Sequence, residues 1–271
     1  MQLHAERASG AAAALTEGVS VVVPAYNEER GLPLVLAQLV QVVDELATRM
    51  PVEVIVVDDG SPDATSAAAA PFLGERVRLV RHPGNRGYGA SLKTGIGQAR
   101  HPWVVIMDAD GTYPSRLIPG LLARRDANEM VVGARNGALR AIPWMRRPAK
   151  WLLTQWASLL SGRRIPDLNS GLRVMRRDLV LRYMHLLPDG FSFTSTITLA
   201  MLANRHRVEY VTIDYLKREG KSKIRPIADT LNFARLILRT VMFFHPRRTL
   251  APLVLLASAC VGCAWLLARL V

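Results

Sequence analysis

Two aspartates, Asp108 and Asp110, stand one residue apart directly after a short apolar run. That run, 104–107, contains only Val, Ile and Met, which is typical of a strand buried on both faces. Gly111 follows and lets the chain turn, so both carboxylates can approach one hard cation. Because carboxylate oxygens suit Mg2+ or Mn2+, we expect a metal site at this strand end. The alternative is that the two acids only form hydrogen bonds within a turn.

The elements that would position these acids alternate between strand and helix. Short β-branched runs predict strands, and apolar residues at helical spacing predict helices between them. Such alternation is typical of an α/β domain whose mostly parallel sheet is covered by helices on both faces. The predicted strands are 19–23, 52–57, 77–80, 104–107 and 130–133, and the predicted helices include 31–50, a segment ending near Arg100, and 117–125.

Polar segments follow three of these strands. Pro24-Ala-Tyr-Asn-Glu28 follows the first strand, Asp58-Asp-Gly-Ser61 the second, and Asp108-Ala-Asp110 the fourth. The carboxyl ends of parallel strands meet at one edge of a sheet, which is where open α/β sheets bind their ligands. The three segments together therefore predict one ligand site more strongly than any of them does alone.

The charge of the chain calls for an anionic partner. Of the 271 residues half are hydrophobic, and 35 Lys and Arg against 22 Asp and Glu give a net charge of +13. Between Arg135 and Arg182 the only acids are Asp167 and Asp178. Such a block suits nucleic acid, anionic lipid headgroups or a phosphorylated substrate. Because no nucleic-acid-binding module is recognisable, we do not expect nucleic acid to be the partner.

Segments after Arg135 carry signals for a membrane. Segment 142–160 mixes tryptophans with basic residues, which predicts a membrane-surface helix or a core helix with a solvated basic face. Segment 226–248 predicts an amphipathic interfacial helix. Segment 249–271 carries one charge and is a candidate transmembrane helix, with a buried soluble helix as the alternative. The preceding arginines, Arg247 and Arg248, favour a catalytic domain on the cytoplasmic side. Residues 1–18 predict a mobile tail.

Five motifs, in order along the chain, resemble those of the family-2 glycosyltransferases of the GT-A fold. Within that family the chain looks most like the polyprenol-phosphate sugar transferases of the dolichol-phosphate mannosyltransferase type. The resemblance covers roughly Val19 to Phe244 and implies a GT-A domain over 19–225. The motifs are Pro24-Ala-Tyr-Asn-Glu28, Asp58-Asp-Gly-Ser61, Asn85-x-Gly-x-Gly89, Asp108-Ala-Asp110 and Asn169-Ser-Gly-Leu-Arg173.

The resemblance implies a role for each motif. A nucleotide-sugar donor would be held at its base and ribose by the first two motifs, and its diphosphate would be bridged by a divalent metal on Asp108 and Asp110. Arg135 would lie near the reacting phosphates, which makes it the third expected catalytic residue. The implied donor-binding residues are Pro24, Tyr26, Glu28, Asp58, Asp59, Asp108, Ala109, Asp110, Arg135, Lys217, Arg218 and Lys223.

The chain departs from the family pattern at two places. The segment from Lys217 to Lys223 resembles a family loop that closes over the donor, but the expected arginine position holds Lys217, and Arg218 lies one residue nearer the glycine. Either of the two could therefore contact phosphate. Many relatives have Gln two residues after the second aspartate, where this chain has Thr112. Only Asp108 and Asp110 are therefore expected as metal ligands.

The expected reaction needs little proton transfer. A lipid phosphate is already an anion, so it can attack the sugar carbon without a protein base, and in-line attack inverts the anomeric centre. We expect the acceptor phosphate to contact Arg146, Arg147, Lys150, Ser170 and Arg173. The alternatives are a glycan or other lipid acceptor, for which Asp167 is the nearest candidate base, and a non-enzymatic binder of anionic membrane or nucleic acid.

Overall fold

The structure is a computed structural model that describes residues 17–136, 155, 158 and 164–216. These residues form a seven-stranded sheet with helices on both faces. The strands are β1 (Val19–Ala25), β2 (Val52–Asp58), β3 (Val77–Arg81), β4 (Trp103–Ile106), β5 (Met130–Arg135), β6 (Arg173–Arg176) and β7 (Val208–Ile213). The helices are α1 (Gly31–Ala47), α2 (Thr65–Ala69), α3 (Tyr88–Gln98), α4 (Ile118–Leu122), α5 (Arg177–Tyr183) and α6 (Phe193–Ala203).

The strand order is β3-β2-β1-β4-β6-β5-β7. Strands β1 to β4 pair in parallel, and β5 pairs in parallel with β7. The exception is β6, which lies between β4 and β5 and runs antiparallel to both. The predicted mostly parallel α/β sheet is confirmed, but the sequence did not reveal that a later strand separates β4 from β5.

The strands and helices differ from the predicted ones mainly in where each of them ends. Strand β1 reaches Ala25 and β2 reaches Asp58, so each is longer than its apolar run. The predicted helix 117–125 is a short α-helix, α4, between two 3-10 segments. Pro119 occupies the first turn of α4, where its missing N–H costs nothing.

The core has two layers because side chains alternate along each buried strand. On β1, Val21 and Val23 belong to the layer under α1, whereas Val22 faces the layer under α3 and α6. Both layers are closed to water, since Leu36 of α1 and Ile96 of α3 have no exposed surface. The strands therefore end against a closely packed core, and the loops of the site begin there.

Among the described residues, no helix is both long and apolar enough to cross a bilayer. Segments 226–248 and 249–271 lie outside the described residues, as do residues 1–16 and most of 142–160. The predictions for these segments stay predictions.

Candidate functional site

The polar segments after β1 and β2 form one wall at the carboxyl edge of the sheet. The backbone N–H of Asn27 donates to Ser61 Oγ at 3.0 Å, and that of Glu28 donates to Thr65 Oγ1 at 2.9 Å. The Asp59 N–H donates to the Ala25 carbonyl oxygen at 2.9 Å. The two loops are therefore fixed to each other, as expected for neighbouring parallel strands.

The loop after β4 joins this wall at Gly31, the first residue of α1. A Cβ at Gly31 would lie 2.9 Å from the Ala109 carbonyl oxygen and 3.1 Å from Glu28 Oε2. The first distance, to a backbone atom, is too short for a Cβ, so glycine allows the two loops to approach. The predicted donor residues Pro24, Tyr26, Glu28 and Ala109 lie together at this edge.

Asp58 binds its own loop. It has no exposed surface, its Oδ1 accepts the Ser61 N–H at 2.9 Å, and its Oδ2 accepts the Ser66 hydroxyl. Arg81 Nε lies 3.6 Å from Oδ2. These contacts assign Asp58 to holding the loop, and they do not support the predicted direct contact with a base or ribose.

Asp59 holds the next loop along the sheet. Its Oδ1 contacts His82 Nδ1 at 2.7 Å and accepts the Arg86 N–H at 3.0 Å, and its Oδ2 accepts the Gly87 N–H at 2.8 Å. Only 3% of Asp59 is exposed. Asp59 therefore fixes the segment that leads into α3. Like Asp58, it uses its carboxylate oxygens to hold a loop of the protein.

Asp108 and Asp110 lie just beyond β4, and both are partly exposed. Asp108 Oδ1 accepts the Tyr88 hydroxyl at 2.8 Å. Asp110 Oδ1 accepts both the backbone N–H of Thr112, at 3.2 Å, and its hydroxyl, at 2.6 Å. Each carboxylate is thus oriented by a hydroxyl group. Thr112 orients Asp110.

Gly171 brings a second loop against Asp108. A Cβ at Gly171 would lie 2.2 Å from Asp108 Oδ2, so only glycine fits there. The Gly171 N–H donates to the Tyr113 hydroxyl at 2.8 Å, which fixes the loop before β6. The loop that contains Gly171 therefore borders Asp108.

The two aspartates fit a divalent cation by the chemistry of their donor atoms. They offer hard carboxylate oxygens one residue apart at a partly exposed edge, which suits Mg2+ or Mn2+ when substrate phosphates and water supply the other ligands. Within residues 17–136 and 164–216, no three Asp, Glu, His or Cys side chains converge on a common point suited to a metal.

Arg135, at the end of β5, is bound to Asp167 by a two-pronged ion pair. Arg135 Nε lies 2.6 Å from Asp167 Oδ2, and Nη2 lies 2.8 Å from Oδ1. The Arg135 guanidinium also lies 5.2 Å from the centre of the Tyr215 ring. Burial by itself would lower the pKa of Arg135, but the hydrogen bonds to Asp167 and the nearby Tyr113 raise it above its ordinary value. Arg135 is thus a permanent, preoriented cation at the edge of the site.

The prediction that Ser170 and Arg173 contact an acceptor phosphate does not agree with their positions, because neither has exposed surface. The Ser170 hydroxyl donates to the Gly133 carbonyl oxygen at 2.6 Å. Arg173 donates to the carbonyl oxygens of Ser170 and Leu168, each at 2.8 Å, and to the Thr198 hydroxyl. Both side chains shape the loop before β6 from inside the core. Burial lowers the pKa of Arg173.

Tyr88 and Phe191 also border the site, although neither was predicted from the sequence as a site residue. Their rings stack at 5.6 Å between centres and 18° between planes, and the Tyr88 hydroxyl contacts Asp108. Burial and then the charge of Asp108 raise the pKa of Tyr88 well above its ordinary value, so its hydroxyl stays protonated. The available signal was an aromatic residue inside the glycine-rich segment 84–89, which offers a hydroxyl next to a turn. The contact with residue 191 carried no sequence signal.

The remaining predicted site residues lie outside the described residues. These are Arg146, Arg147, Lys150, Lys217, Arg218 and Lys223.

A mostly parallel α/β sheet of this kind has a GT-A-like architecture, and its paired acids lie at the carboxyl end of a central strand, where open α/β sheets bind ligands. Comparison with known proteins identifies the family. Residues 20–183 match the model described as glycosyl transferase family 2. The chain belongs to this family, as its motifs predicted.

Three similar relatives all have names that refer to a sugar and a polyprenyl-type phosphate. Polyprenol monophosphomannose synthase of Mycolicibacterium smegmatis is 30% identical over 222 residues, which cover 77% of this chain and 82% of the relative. Dolichyl-phosphate hexose transferase of Haloferax volcanii is 30% identical and covers 83% and 95%. Undecaprenyl-phosphate mannosyltransferase of Micrococcus luteus is 29% identical and covers 76% and 87%. These homologues are polyprenyl-phosphate sugar transferases.

Among solved structures, the fold is similar to glucosyl-3-phosphoglycerate synthase from Mycobacterium tuberculosis. The structure of that enzyme with Mn2+, UDP and glucosyl-3-phosphoglycerate superposes with a TM-score of 0.64 and 21% identity, covering 87% of this chain and 82% of the other. At this identity the match shows the fold alone, and it confirms the predicted GT-A-like architecture.

Proposed function

We propose that this chain is an inverting glycosyltransferase that moves one sugar from a GDP- or UDP-linked donor to a polyprenyl phosphate of dolichyl type. The product would be a polyprenyl-phosphate sugar. The observation that carries the proposal is the pair of partly exposed carboxylates, Asp108 and Asp110, at the carboxyl end of a central strand. The relatives support the acceptor, because the names of all three refer to a sugar on a polyprenyl-type phosphate.

The nucleotide would bind against the wall formed by the loops after β1 and β2. Pro24, Tyr26 and Glu28 are the side chains we assign to the base and ribose. Asp58 and Asp59 would not contact the nucleotide themselves, because their oxygens already accept hydrogen bonds from the loop backbones. They would support the loops that carry the contacting side chains. The pocket would then keep its shape before the donor arrives, which lowers the entropy cost of binding.

Asp108 and Asp110 would hold Mg2+ or Mn2+ together with the donor diphosphate. A bound divalent cation neutralises charge on a departing nucleoside diphosphate. Mn2+ is supported by the structural neighbour, whose structure contains Mn2+ and UDP. Tyr88 and Thr112 keep one oxygen of each aspartate in place, and the ion pair of Arg135 with Asp167 lies at the carboxyl end of β5, on the same edge of the sheet.

The acceptor phosphate would attack the sugar carbon directly. A phosphate anion needs no general base, so this reaction depends on positioning and on charge stabilisation. Attack opposite the leaving nucleotide inverts the anomeric carbon. An α-linked donor would therefore give a β-linked lipid product.

The contacts of Asp167 argue against a hydroxyl acceptor. Such an acceptor would have to lose a proton, and Asp167 is the candidate base that the sequence suggested. In the structure only 3% of Asp167 is exposed, and both of its oxygens accept hydrogen bonds from the Arg135 side chain. A carboxylate held in this way is not placed to take a proton from an acceptor. The alternative of a glycan or neutral lipid acceptor therefore has less support than the phosphate acceptor.

We assign the acceptor phosphate to Arg146, Arg147 and Lys150, and closure over the donor to Lys217, Arg218 and Lys223. Both sets remain proposals made from the sequence. The same holds for the interfacial helix 226–248, the candidate transmembrane helix 249–271 and the cytoplasmic position of the GT-A domain, 19–225. Together they would bring a lipid-borne phosphate to the edge where the aspartates lie.

The test is a transfer assay with the full chain in detergent or vesicles. Purified protein is incubated with polyprenyl phosphate, Mn2+ or Mg2+ and a panel of GDP- and UDP-sugars, and lipid products are separated and counted. We expect one donor to give a polyprenyl-phosphate sugar, with an anomeric coupling constant that shows inversion. The free polyprenol serves as the matched acceptor control and should give no product.

Three outcomes would contradict the proposal. Transfer to polyprenol as fast as to its phosphate would favour a hydroxyl acceptor. Retained anomeric configuration would exclude direct attack. Finally, no metal-dependent nucleotide binding together with strongly salt-dependent binding of nucleic acid would favour the non-enzymatic alternative.

A further inference from the structure

Tyr88 connects a helix to one of the two aspartates. It is the first residue of α3, and its hydroxyl donates to Asp108 Oδ1 at 2.8 Å across a sequence separation of 20 residues. Asp110 is oriented differently, because the hydroxyl and N–H of Thr112 reach it from only two residues away. The hydroxyl that contacts Asp110 thus comes from its own turn, whereas the one that contacts Asp108 comes from a distant element.

Several contacts fix the position of Tyr88 itself. A Cβ at Gly89 would lie 2.2 Å from the Pro188 carbonyl oxygen, so this glycine lets the loop before α6 pack directly on α3. The Ala90 N–H donates to the Asp189 carbonyl oxygen at 3.0 Å. Beyond it, Phe191 stacks on the Tyr88 ring. The ring therefore has little freedom to rotate, which is what a donor needs if it is to hold a carboxylate in one orientation.

The segment before Tyr88 is held as firmly. The Gly87 N–H donates to Asp59 Oδ2 at 2.8 Å, and Gly87 has φ of +107°, a conformation that L side chains rarely adopt. Asp59 also contacts His82 Nδ1, and His82 Nε2 lies 2.9 Å from Thr94 Oγ1 of α3. The start of α3 is thus tied to the loops after β2 and β3, on the side of the proposed nucleotide wall.

From these contacts we propose that Tyr88 is a positioning residue that orients Asp108 for binding a divalent cation with a nucleoside diphosphate. This inference rests on the proposed function, since it assumes that Asp108 is a metal ligand. Hydrogen-bond partners behind a ligand fix its orientation, and their loss commonly weakens metal binding or activity by 10- to 100-fold. Tyr88 needs no contact with the sugar or the acceptor for this role.

The experiment compares Tyr88→Phe with the wild-type full chain. Phenylalanine keeps the ring and its stacking on Phe191 and removes only the hydroxyl. Mn2+ affinity is measured by electron paramagnetic resonance in the presence of UDP or GDP, whichever the wild type binds. We expect Tyr88→Phe to weaken Mn2+ binding about 10-fold, with little change in melting temperature or in metal-free nucleotide binding.

A matched control removes a tyrosine hydroxyl elsewhere. Tyr183 Oη lies 3.0 Å from His206 Nε2 and not at either aspartate, so Tyr183→Phe should leave Mn2+ affinity unchanged. Phe191→Leu, which removes the stacking ring but keeps the hydroxyl, should weaken Mn2+ binding less than Tyr88→Phe. An equal or larger loss in Phe191→Leu would overturn the inference, because ring packing and not the hydrogen bond would then be responsible.

A double-mutant cycle distinguishes a positioning role of Tyr88 from a merely structural one. In an Asp108→Asn background, Tyr88→Phe should have little further effect on Mn2+ affinity, because the group that it orients is already changed. Additive losses, or wild-type Mn2+ affinity in Tyr88→Phe alone, would overturn the inference. If wild type makes the lipid-linked sugar and Tyr88→Phe binds Mn2+ normally, only the inference fails. If the Mn2+ effect is present but no lipid phosphate accepts sugar, the proposed acceptor fails instead.

Discussion

The two ends of the central sheet both carry acidic side chains, but they use them differently. At the amino end, Glu53 of β2 is buried, and it accepts the Ser20 hydroxyl and the Arg100 N–H at 2.7 Å each. Arg78 Nε lies 3.3 Å from its other oxygen. At the carboxyl end, Asp108 and Asp110 are partly exposed and are oriented by the hydroxyls of Tyr88 and Thr112.

This difference separates a structural acid from a candidate ligand. Glu53 receives a backbone N–H, a hydroxyl and arginine side chains, so its charge is balanced within the protein. Asp108 and Asp110 place two carboxylates one residue apart at a partly exposed edge, where their hard oxygens suit a divalent cation. Replacing the acids at the two ends should therefore affect different properties of the protein.

The largest expected effect is on activity at the carboxyl end. The double variant Asp108→Asn, Asp110→Asn keeps side-chain size and removes both negative charges. We expect sugar transfer to fall at least about 1,000-fold, equivalent to roughly 4 kcal/mol in the barrier, because the metal and diphosphate lose their anchor. Transfer of labelled sugar to polyprenyl phosphate, measured at saturating Mn2+, checks this.

The control for that variant is Asp178→Asn, which removes an exposed acid paired with Arg176. It should retain full activity. Full turnover by the double aspartate variant in the presence of chelator would show that the two acids are not metal ligands. The acids at the carboxyl end would then have no functional role that distinguishes them from Glu53.

The second effect is on stability at the amino end. Glu53→Gln should lower the free energy of unfolding by about 2–3 kcal/mol, because charge-assisted hydrogen bonds are lost and Arg78 loses its buried partner. Denaturant titration measures this. Glu209→Gln, in a more exposed pair with Arg124, should cost less than about 1 kcal/mol. Equal losses in the two variants would contradict the structural role of Glu53.

A smaller effect is expected at Arg135. It lies at the carboxyl end of the sheet, like the two aspartates, but it is held in a partly buried ion pair, like Glu53. Arg135→Lys keeps the charge but cannot make the two-pronged contact with Asp167. We expect kcat to fall about 10-fold, with KM for the donor little changed. Arg124→Lys, at an exposed pair, is the control and should behave as wild type. A loss of melting temperature with unchanged kcat would make Arg135 structural and would remove it from the proposed catalytic residues.

Local pattern was enough to predict the strands and the family. The β-branched runs and the polar segments after them predicted β1 to β5, and the order of the five motifs predicted the family that residues 20–183 match. These features depend on residues close together in sequence. Asp108 and Asp110 could be predicted as a pair because they stand one residue apart in the sequence.

Contacts between distant segments could not be predicted in this way. The insertion of β6 between β4 and β5 depends on sheet pairing, which leaves no local pattern. Arg173 was predicted to bind phosphate because it ends a polar motif, but β6 carries it into the core. Asp167 was a candidate base until the structure placed Arg135 against it. In each case the residue type was consistent with function, and tertiary packing decided its role.

The smallest expected effect concerns the pH dependence of the amino-end cluster. Burial of Glu53 would raise its pKa, but hydrogen bonds from the Arg100 N–H and Ser20 and the charge of Arg78 together lower it below its ordinary value. Between those two pKa values, the unfolded chain binds a proton at Glu53 that the folded protein does not. The stabilisation by Glu53 is therefore complete above the ordinary pKa and is lost as pH falls through the lowered one.

Comparing wild type with Glu53→Gln isolates this contribution, since all other carboxylates are present in both proteins. Unfolding free energies measured by denaturant titration from pH 7 to pH 3 should differ most at pH 7, and the difference should narrow as the pH falls. Salt should change this difference little, because the contacts of Glu53 are mostly buried. A difference that stays constant down to pH 3 would mean that Glu53 titrates normally in the folded protein, and the two ends of the sheet would then differ in exposure but not in how their acids are stabilised.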